Sequence, residues 1–447
     1  MQLNNKFLLQ NNIIFKIFLI FSFFSAWISL GSSIEDLSIK FNFESQNSIY
    51  EIINFLRTFV NILCFIILSY FFVKNLDKKI FKNYLNIYLI FLFYYLFQIP
   101  GLFLTLNNLE NLYLIMSSLN IILIFLLVDK VFEYQEMKFF IYVSVLVIFV
   151  LLMITFANNL YEYLSGKRLL FYGNPFNILG KSTIRSSGAG RLSLVILIFF
   201  SLVLSNPDNK RKIDIFLISF LSMIVIIYQS RANIILWIIF LFIYFFYNKN
   251  SSLKKNFENL LAFIVLPIIL IYLLPNLKLL VIQILQDQNH LLNSFLIKSG
   301  FQLNNLEVSS QDLLRKMHLH SSGRINDWNN LFINFNFNNS LFFGYGSQGD
   351  RFLIDQSASN AFIYSFVSSG IIGFFFYISF LVFLSIYLIK YFFYVKKKDN
   401  ISFSCFVIIL ILLIRSLVES SFAVFGVDFI LIFMSACIIK KKIEKKI

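Results

Sequence analysis

Charge is scarce in this chain. Charged residues make up only 14% of 447 positions, with five prolines, three cysteines and three histidines. With 58% hydrophobic residues and a mean hydropathy of +0.77, the scarcity of charge excludes a water-soluble fold, and lipid must be the solvent for most of the chain. So few prolines suit long uninterrupted helices. Cys64, Cys405 and Cys437 all fall inside apolar stretches, which excludes a disulfide framework and leaves them as small buried hydrophobes. His318 and His320 form an HxH pair, but no third ligand accompanies them, so no metal and no cofactor are expected. The 59 phenylalanines, alongside abundant Ile, Asn and Lys, fit a bias towards AT-rich codons and are not by themselves a binding signal.

What charge there is has one dominant sign: 38 Lys and Arg against 23 Asp and Glu, a net +15. In a soluble protein that balance would suggest nucleic acid. Here the lysines sit in short clusters between apolar runs, as the positive-inside rule requires, and no nucleic-acid partner is expected.

A membrane crossing needs about 20 mostly apolar residues. The sequence predicts an all-α polytopic membrane protein of about twelve spans, near 12–31, 53–73, 84–105, 111–128, 139–157, 191–206, 212–229, 232–248, 259–281, 360–394, 401–418 and 421–439. The run from Ile13 to Leu30 lacks a small-residue cleavage site and is read as a span. The segment 360–394 is too long for one upright helix, and Gly370 and Gly373 predict a break after a short half-inserted piece. Lys74, Lys78, Lys79 and Lys82, then Lys210 to Lys212 (with Arg211), Lys249, Lys254 and Lys255, Lys396 to Lys398 and the KKKIEKKI tail all fall on one side if both ends are cytoplasmic. Four regions follow: 1–157 with five helices, 158–281 with the sixth to ninth, a large outer loop at 282–358 containing short amphipathic helices, and 359–447 with the last three and a basic tail.

Two outer segments break the charge rule. Residues 166–191, GKRLLFYGNPFNILGKSTIRSSGAGR, hold Lys167, Arg168, Lys181, Arg185 and Arg191 without an acid, and Arg231 stands in a tight turn, QSRAN. Burying Arg at a helix centre costs about 2.5–3.5 kcal/mol on the insertion scale. Basic residues on the translocated side either snorkel to headgroups or meet an anion, and the planar guanidinium fork suits phosphate. The glycine-rich turns around them expose backbone N–H groups that also cradle anions. The large outer loop adds Arg324 in SSGRINDWNNLF and Arg351 in FFGYGSQGDRF before re-entry at Asn360. Between the last two spans, RSLVES sets Arg415 and Glu419 four residues apart, where on a helix they would pair with each other. Arg57, inside the second span, reads as a helix contact or a snorkelling side chain.

In order along 166–426, the pieces GNPFNILG with SSGAGR, QSRAN, SSGRINDW, FFGYG, SNAFIYSFVSSGIIG and RSLVES resemble the O-antigen polymerase and O-antigen ligase family of membrane glycosyltransferases. No single piece is specific; the order carries the resemblance. It implies a helical GT-C-like architecture acting on undecaprenyl-pyrophosphate-linked glycans at the periplasmic face of the bacterial inner membrane. Membrane lipids and a chain-length regulator are the expected partners. By motif position Arg191, Arg231 and Arg324 match the essential arginines that would hold the pyrophosphate, supported by Arg185, Arg351, Asn360, Arg415 and Glu419. Ligases carry a histidine before the re-entry asparagine; here Ser359 stands there, and it cannot serve as a base near neutral pH, which favours polymerase over ligase. The base stays open among Asp350, Asp355, Glu419 and His320. Two other classes compete. One is a polysaccharide flippase, although no internal repeat is evident; the other is a glycosyltransferase using monosaccharide donors, for which Glu35 and Asp36 would supply the first-loop acids.

Overall fold

The computed structural model describes residues 13–31, 48–74, 87–105, 108–164, 171–172, 184–204, 212–228, 230–247, 258–259, 261–271, 324–395 and 399–444. Helix dominates them. In order come α1 (Ile13–Ile28), α2 (Ser48–Lys74), α3 (Ile87–Leu96, followed by a 3-10 turn at Pro100–Leu104), α4 (Asn108–Val131) and α5 (Tyr134–Leu164). Two short strands, Phe171–Tyr172 and Ile184–Arg185, pair antiparallel with Phe171 opposite Arg185. Then follow α6 (Ser186–Phe199, ending in a π turn to Leu204), α7 (Lys212–Ile227), α8 (Arg231–Tyr247) and α9 (Leu261–Ile271). The last third holds three short helices, α10 (Arg324–Asn334), α11 (Phe337–Ser340) and α12 (Gly349–Ile354), then α13 (Ala361–Tyr394), α14 (Asn400–Arg415) and α15 (Val427–Glu444).

Among the described residues, five stretches are long and apolar enough to cross a membrane: Ile52–Lys74, Ile87–Leu104, Asn108–Val131, Tyr134–Met153 and Ala361–Tyr394. Apolar side chains fill the interior and also cover the outside. Large apolar side chains such as Ile66, Val73, Leu146, Phe375 and Phe392 face outward, while Ser22, Asn61, Ser117, Asn120 and Ser144 are buried. Between α2 and α4, Asn61 donates to Ser117 (2.9 Å) and accepts from Asn120 (2.8 Å). Lipid already solvates the apolar faces, so hydrogen bonds and close packing are left to hold helix to helix. Arg57, expected as a helix contact or a snorkelling side chain, is buried and donates to the Gly31 carbonyl.

The predicted break in α13 occurs at Gly370, whose backbone is left-handed (φ +62°). Gly373, the second expected breaker, stays within the helix and packs on Ser369 and Phe97. A broken helix strands backbone donors and acceptors, which cannot be left unsatisfied away from water. Here the FFGYG loop takes them up by a two-way exchange. Tyr345 and Gly346 donate to the carbonyls of Val367 and Ser368, both at 2.8 Å, and Ile371 and Ile372 donate to Leu341 and Phe342 at 2.8 and 3.4 Å. The glycines are required by proximity: a Cβ at Gly344 would lie 2.5 Å from the Val367 carbonyl, and one at Gly101 would lie 2.3 Å from Gly346 N.

The bundle has two chemically distinct ends. At one, Lys16 pairs with Glu136 (2.6 Å), buried Lys440 with Asp129, and Lys442 with Asp399 (2.8 Å). The other end gathers Arg191, Arg324 and Arg415.

Two predictions follow from these contacts. Gly370→Ala puts a Cβ 2.3 Å from Phe342 C at a left-handed φ. It should cost at least about 1–3 kcal/mol of stability, whereas Gly426→Ala, whose nearest neighbour is Val424 O at 4.0 Å, should melt like the parent in detergent. Burial alone would raise the Asp399 carboxyl, but hydrogen bonds from Lys442, Ser402 and Tyr134 outweigh it and hold it down to about 2. Because an unfolded aspartate titrates near about 3.9, the stability of the parent over Asp399→Asn should be complete above about pH 4 and vanish as pH falls through the folded value. Melting temperatures of the two proteins across that range read it directly.

Candidate functional site: an arginine cluster at one end of the bundle

The last turn of a helix leaves four carbonyls without intrahelical partners, at the negative end of the helix dipole. Helix α14 ends this way at Arg415, and RSLVES is the turn that follows. Its carbonyls are taken in succession by the segment 324–361: Ser416 O accepts from Ala361 N at 3.0 Å, Leu417 O from Asn360 Nδ2 at 2.9 Å and Val418 O from Arg324 Nη1 at 2.6 Å. Asn360 also caps α13, its Oδ1 accepting from Phe362 and Ile363. Arg324 completes its fork on Glu419 Oε1 at 3.2 Å.

Beneath that turn lies a carboxylate shared by two guanidinium groups. Asp428, 1% exposed in the first turn of α15, receives Arg415 Nη1 at 2.5 Å, Arg191 Nη1 at 3.1 Å and Ser421 Oγ at 2.9 Å, all on Oδ2. Its position at a helix N-terminus favours the negative charge. Nε of Arg191, Nε of Arg415 and Oδ1 of Asp428 are buried and have no hydrogen-bond partner among the described residues. Two cations on one anion leave a net positive charge in a site removed from bulk water. Arg191 keeps 20% of its side chain exposed, so the cluster opens on its side.

Gly190 of SSGAGR and Asn233 of QSRAN have a packing role here. A Cβ at Gly190 would lie 2.8 Å from Asn233 Nδ2, so α6 and α8 touch one residue from Arg191 and two from Arg231. Arg231 opens α8 with an exposed side chain. Arg185 enters through its backbone strand, directly ahead of α6. The Arg351 side chain is exposed and makes no ion pair among the described residues; its amide donates to Asp350. Trp328 Nε1 donates to Ala358 O at 2.6 Å, tying α10 to the loop before Asn360. Ser359 adopts a left-handed φ of +49°.

Several expectations change. Arg415 and Glu419 do not pair with each other: Glu419 lies beyond the helix end and meets Arg324, while Arg415 points to Asp428. The arginines are also not free of acids, because Asp428 and Glu419 reach Arg191 and Arg324 from more than 90 residues away in sequence. Asp428 is the residue of the cluster that the sequence does not single out. An acid at the head of an apolar run was the available signal, since an intramembrane carboxylate marks a site by default. Of the candidate bases, Asp350 is buried, with its oxygens on Ala358 N (2.7 Å) and Arg351 N (2.9 Å). Burial pushes that carboxyl above its usual range against these hydrogen bonds. Asp355 is an exposed residue at the end of α12, and Glu419 is the candidate that touches an arginine of the cluster. Lys167, Arg168, Lys181, His318, His320, Glu35 and Asp36 lie outside the described residues.

The chain matches no known protein family, no curated protein and no solved structure.

Removing one partner of a buried ion cluster leaves uncompensated charge, at about 3–5 kcal/mol. Asp428→Ala should therefore unfold the end of the bundle, and pairing it with Arg191→Met should recover part of the loss. A double-mutant cycle on melting in detergent gives the coupling; strictly additive losses would mean the contact contributes nothing.

Proposed function

We propose that this chain is a membrane glycosyltransferase of the O-antigen polymerase type, joining undecaprenyl-pyrophosphate-linked repeat units at the periplasmic face of the inner membrane. The observation that carries the reading is the cluster just described. Arg191, Arg324 and Arg415 converge from three separate segments, against two acids, with guanidinium N–H donors still unpartnered among the described residues. A diphosphate is the anion that such forks suit, by parallel charge-assisted hydrogen bonds.

In the reaction, an acceptor hydroxyl oxygen attacks the anomeric carbon of the lipid-linked glycan. The bond from that carbon to the diphosphate oxygen breaks, the lipid diphosphate departs with the electron pair, and a base takes the hydroxyl proton. Arg191, Arg231 and Arg324 would stabilise the charge growing on the diphosphate, with Arg185, Arg351 and Arg415 in support, and this needs no metal. Glu419 is the carboxylate best situated to receive the proton, being next to Arg324.

The twelve-span topology belongs to the same proposal. The described apolar helices alternate in direction: Lys16–Glu136, Lys440–Asp129 and Tyr244–Asn259 mark one end, and Tyr95–Ala423, Gly190–Asn233 and Ala361–Ser416 the other. With both termini cytoplasmic, the lysine-rich end faces inward as the charge rule asks. A ligase reading has less support, because Ser359 replaces the histidine. A flippase reading would draw on the buried polar residues of α2 and α4, but those hydrogen-bond one another across the helix pair, as interhelical ties do.

The test is chemical. Purified protein given lipid-linked repeat units should make longer chains. Arg324→Ala should lower turnover by about 10²–10³, the scale of losing one donor to a developing oxyanion, and Arg324→Lys should restore only part. Transfer to lipid A core in its place would select the ligase, and no product with either acceptor would remove the enzyme reading.

A further inference from the structure

The segment 324–354 carries apolar side chains that the bundle does not cover. Ile325 (54% exposed), Phe332, Ile333 (78%), Phe337, Phe342 (58%) and Phe343 all turn outward. On α10 Ile325, Phe332 and Ile333 share an arc of the helix with Asn329, and Asn326 and Asn330 are exposed beside it. A surface of six large hydrophobes on a loop-rich cap would be an aggregation hazard in water.

This surface continues the outer face of the spans. Phe343 stacks on Phe97 (centroids 6.2 Å), Phe97 on Phe376 (5.4 Å) and Phe376 on Phe93 (5.3 Å), a ladder that runs down two of the membrane-crossing stretches. A second ladder joins Phe332 to Phe366 and Phe366 to Phe374. Below them Ile371 and Phe375 are exposed on α13. The depth is fixed by the backbone exchange at Gly370. Helix α13 is broken at Gly370, and its longer piece, from Ile371 to Tyr394, is at about 1.5 Å per residue about 36 Å long, enough to cross the hydrocarbon core of about 30 Å. Counting about 20 residues back from Tyr394 reaches Phe375, which sets Gly370, and the Leu341–Gly346 loop hydrogen-bonded to it, at the headgroup boundary.

We infer that segment 324–354 is a monotopic element seated in the leaflet at the arginine-bearing end, with the acyl–headgroup boundary of the bilayer covering Ile325, Phe332, Ile333, Phe337, Phe342 and Phe343. The occupant is bilayer lipid: the patch is continuous with faces that only lipid covers, and amphipathic helices with such arcs lie in the interface plane. Arg324, the first residue of the element, then stands at headgroup depth, and the arginine cluster opens towards the leaflet. This inference rests on the helices crossing a membrane and is independent of glycosyl transfer.

The full-length wild-type chain, in vesicles of phosphatidylcholine bearing an acyl-chain diazirine, tests it without any variant. After illumination, mass spectrometry should find adducts on the peptide spanning 332–343 at a yield comparable to that at 371–376. Adducts at 371–376 with none at 332–343 would overturn the seated cap while leaving the spans in place. Adducts at neither would overturn the membrane reading itself. A second measurement uses nitroxide-labelled Phe337→Cys and Asn330→Cys in the same vesicles. Oxygen should relax the label at 337 several-fold more than a water-soluble nickel chelate does, with the order reversed at 330. Equal exposure of both labels to the chelate would contradict the inference.

Discussion

The arginine-bearing end of this protein is organised by one carboxylate. Asp428 draws Arg191 of α6 and Arg415 of α14 onto a single oxygen at the head of α15, and so joins three helices at the point where apolar packing alone would repel charge. Buried ions in lipid-like surroundings are tolerable only when matched by partners and hydrogen bonds. The match here is incomplete, with one cation in excess and donors unpartnered among the described residues. That imbalance is what makes the cluster suitable for an anion as well as structural.

The turn above it, Ser416–Glu419, converts a helix terminus into a docking strip. Successive carbonyls accept from Ala361, Asn360 and Arg324, so the cap segment is fastened to the bundle at its first residue and at its last. A second fastening is the exchange of hydrogen bonds between the Leu341–Gly346 loop and the break at Gly370. Non-helical backbone near the bilayer survives only where its polar groups are answered. The two fastenings together fix Arg324 relative to Arg191, which a loop free at either end could not do.

Much of the fold is legible in the sequence because lipid imposes simple demands. Apolar runs mark the helices. The break in α13 was legible from length and Gly370, though Gly373 proved a packing residue, since a glycine reveals neither its dihedral nor its neighbour. The arginines were legible as violations of charge asymmetry. Their partners were not. Arg415 and Glu419 look like a helical pair only if the helix continues, and α14 stops at Arg415. Asp428 pairs across more than 200 residues with Arg191, a contact that no local pattern encodes. Asn360 reads as a binding residue by motif position, yet its amide caps α13 and holds Leu417. The glycines of FFGYG and Gly190 of SSGAGR read as turns, whereas close backbone and helix approach requires them.

The central claim is that this cluster holds a lipid-borne diphosphate. Native mass spectrometry of the purified chain with undecaprenyl pyrophosphate and, separately, undecaprenyl monophosphate measures it most directly. The account predicts retention of the diphosphate over the monophosphate, with that preference lost in Arg191→Gln. Equal retention of the two lipids, or a preference unchanged in Arg191→Gln, would contradict it.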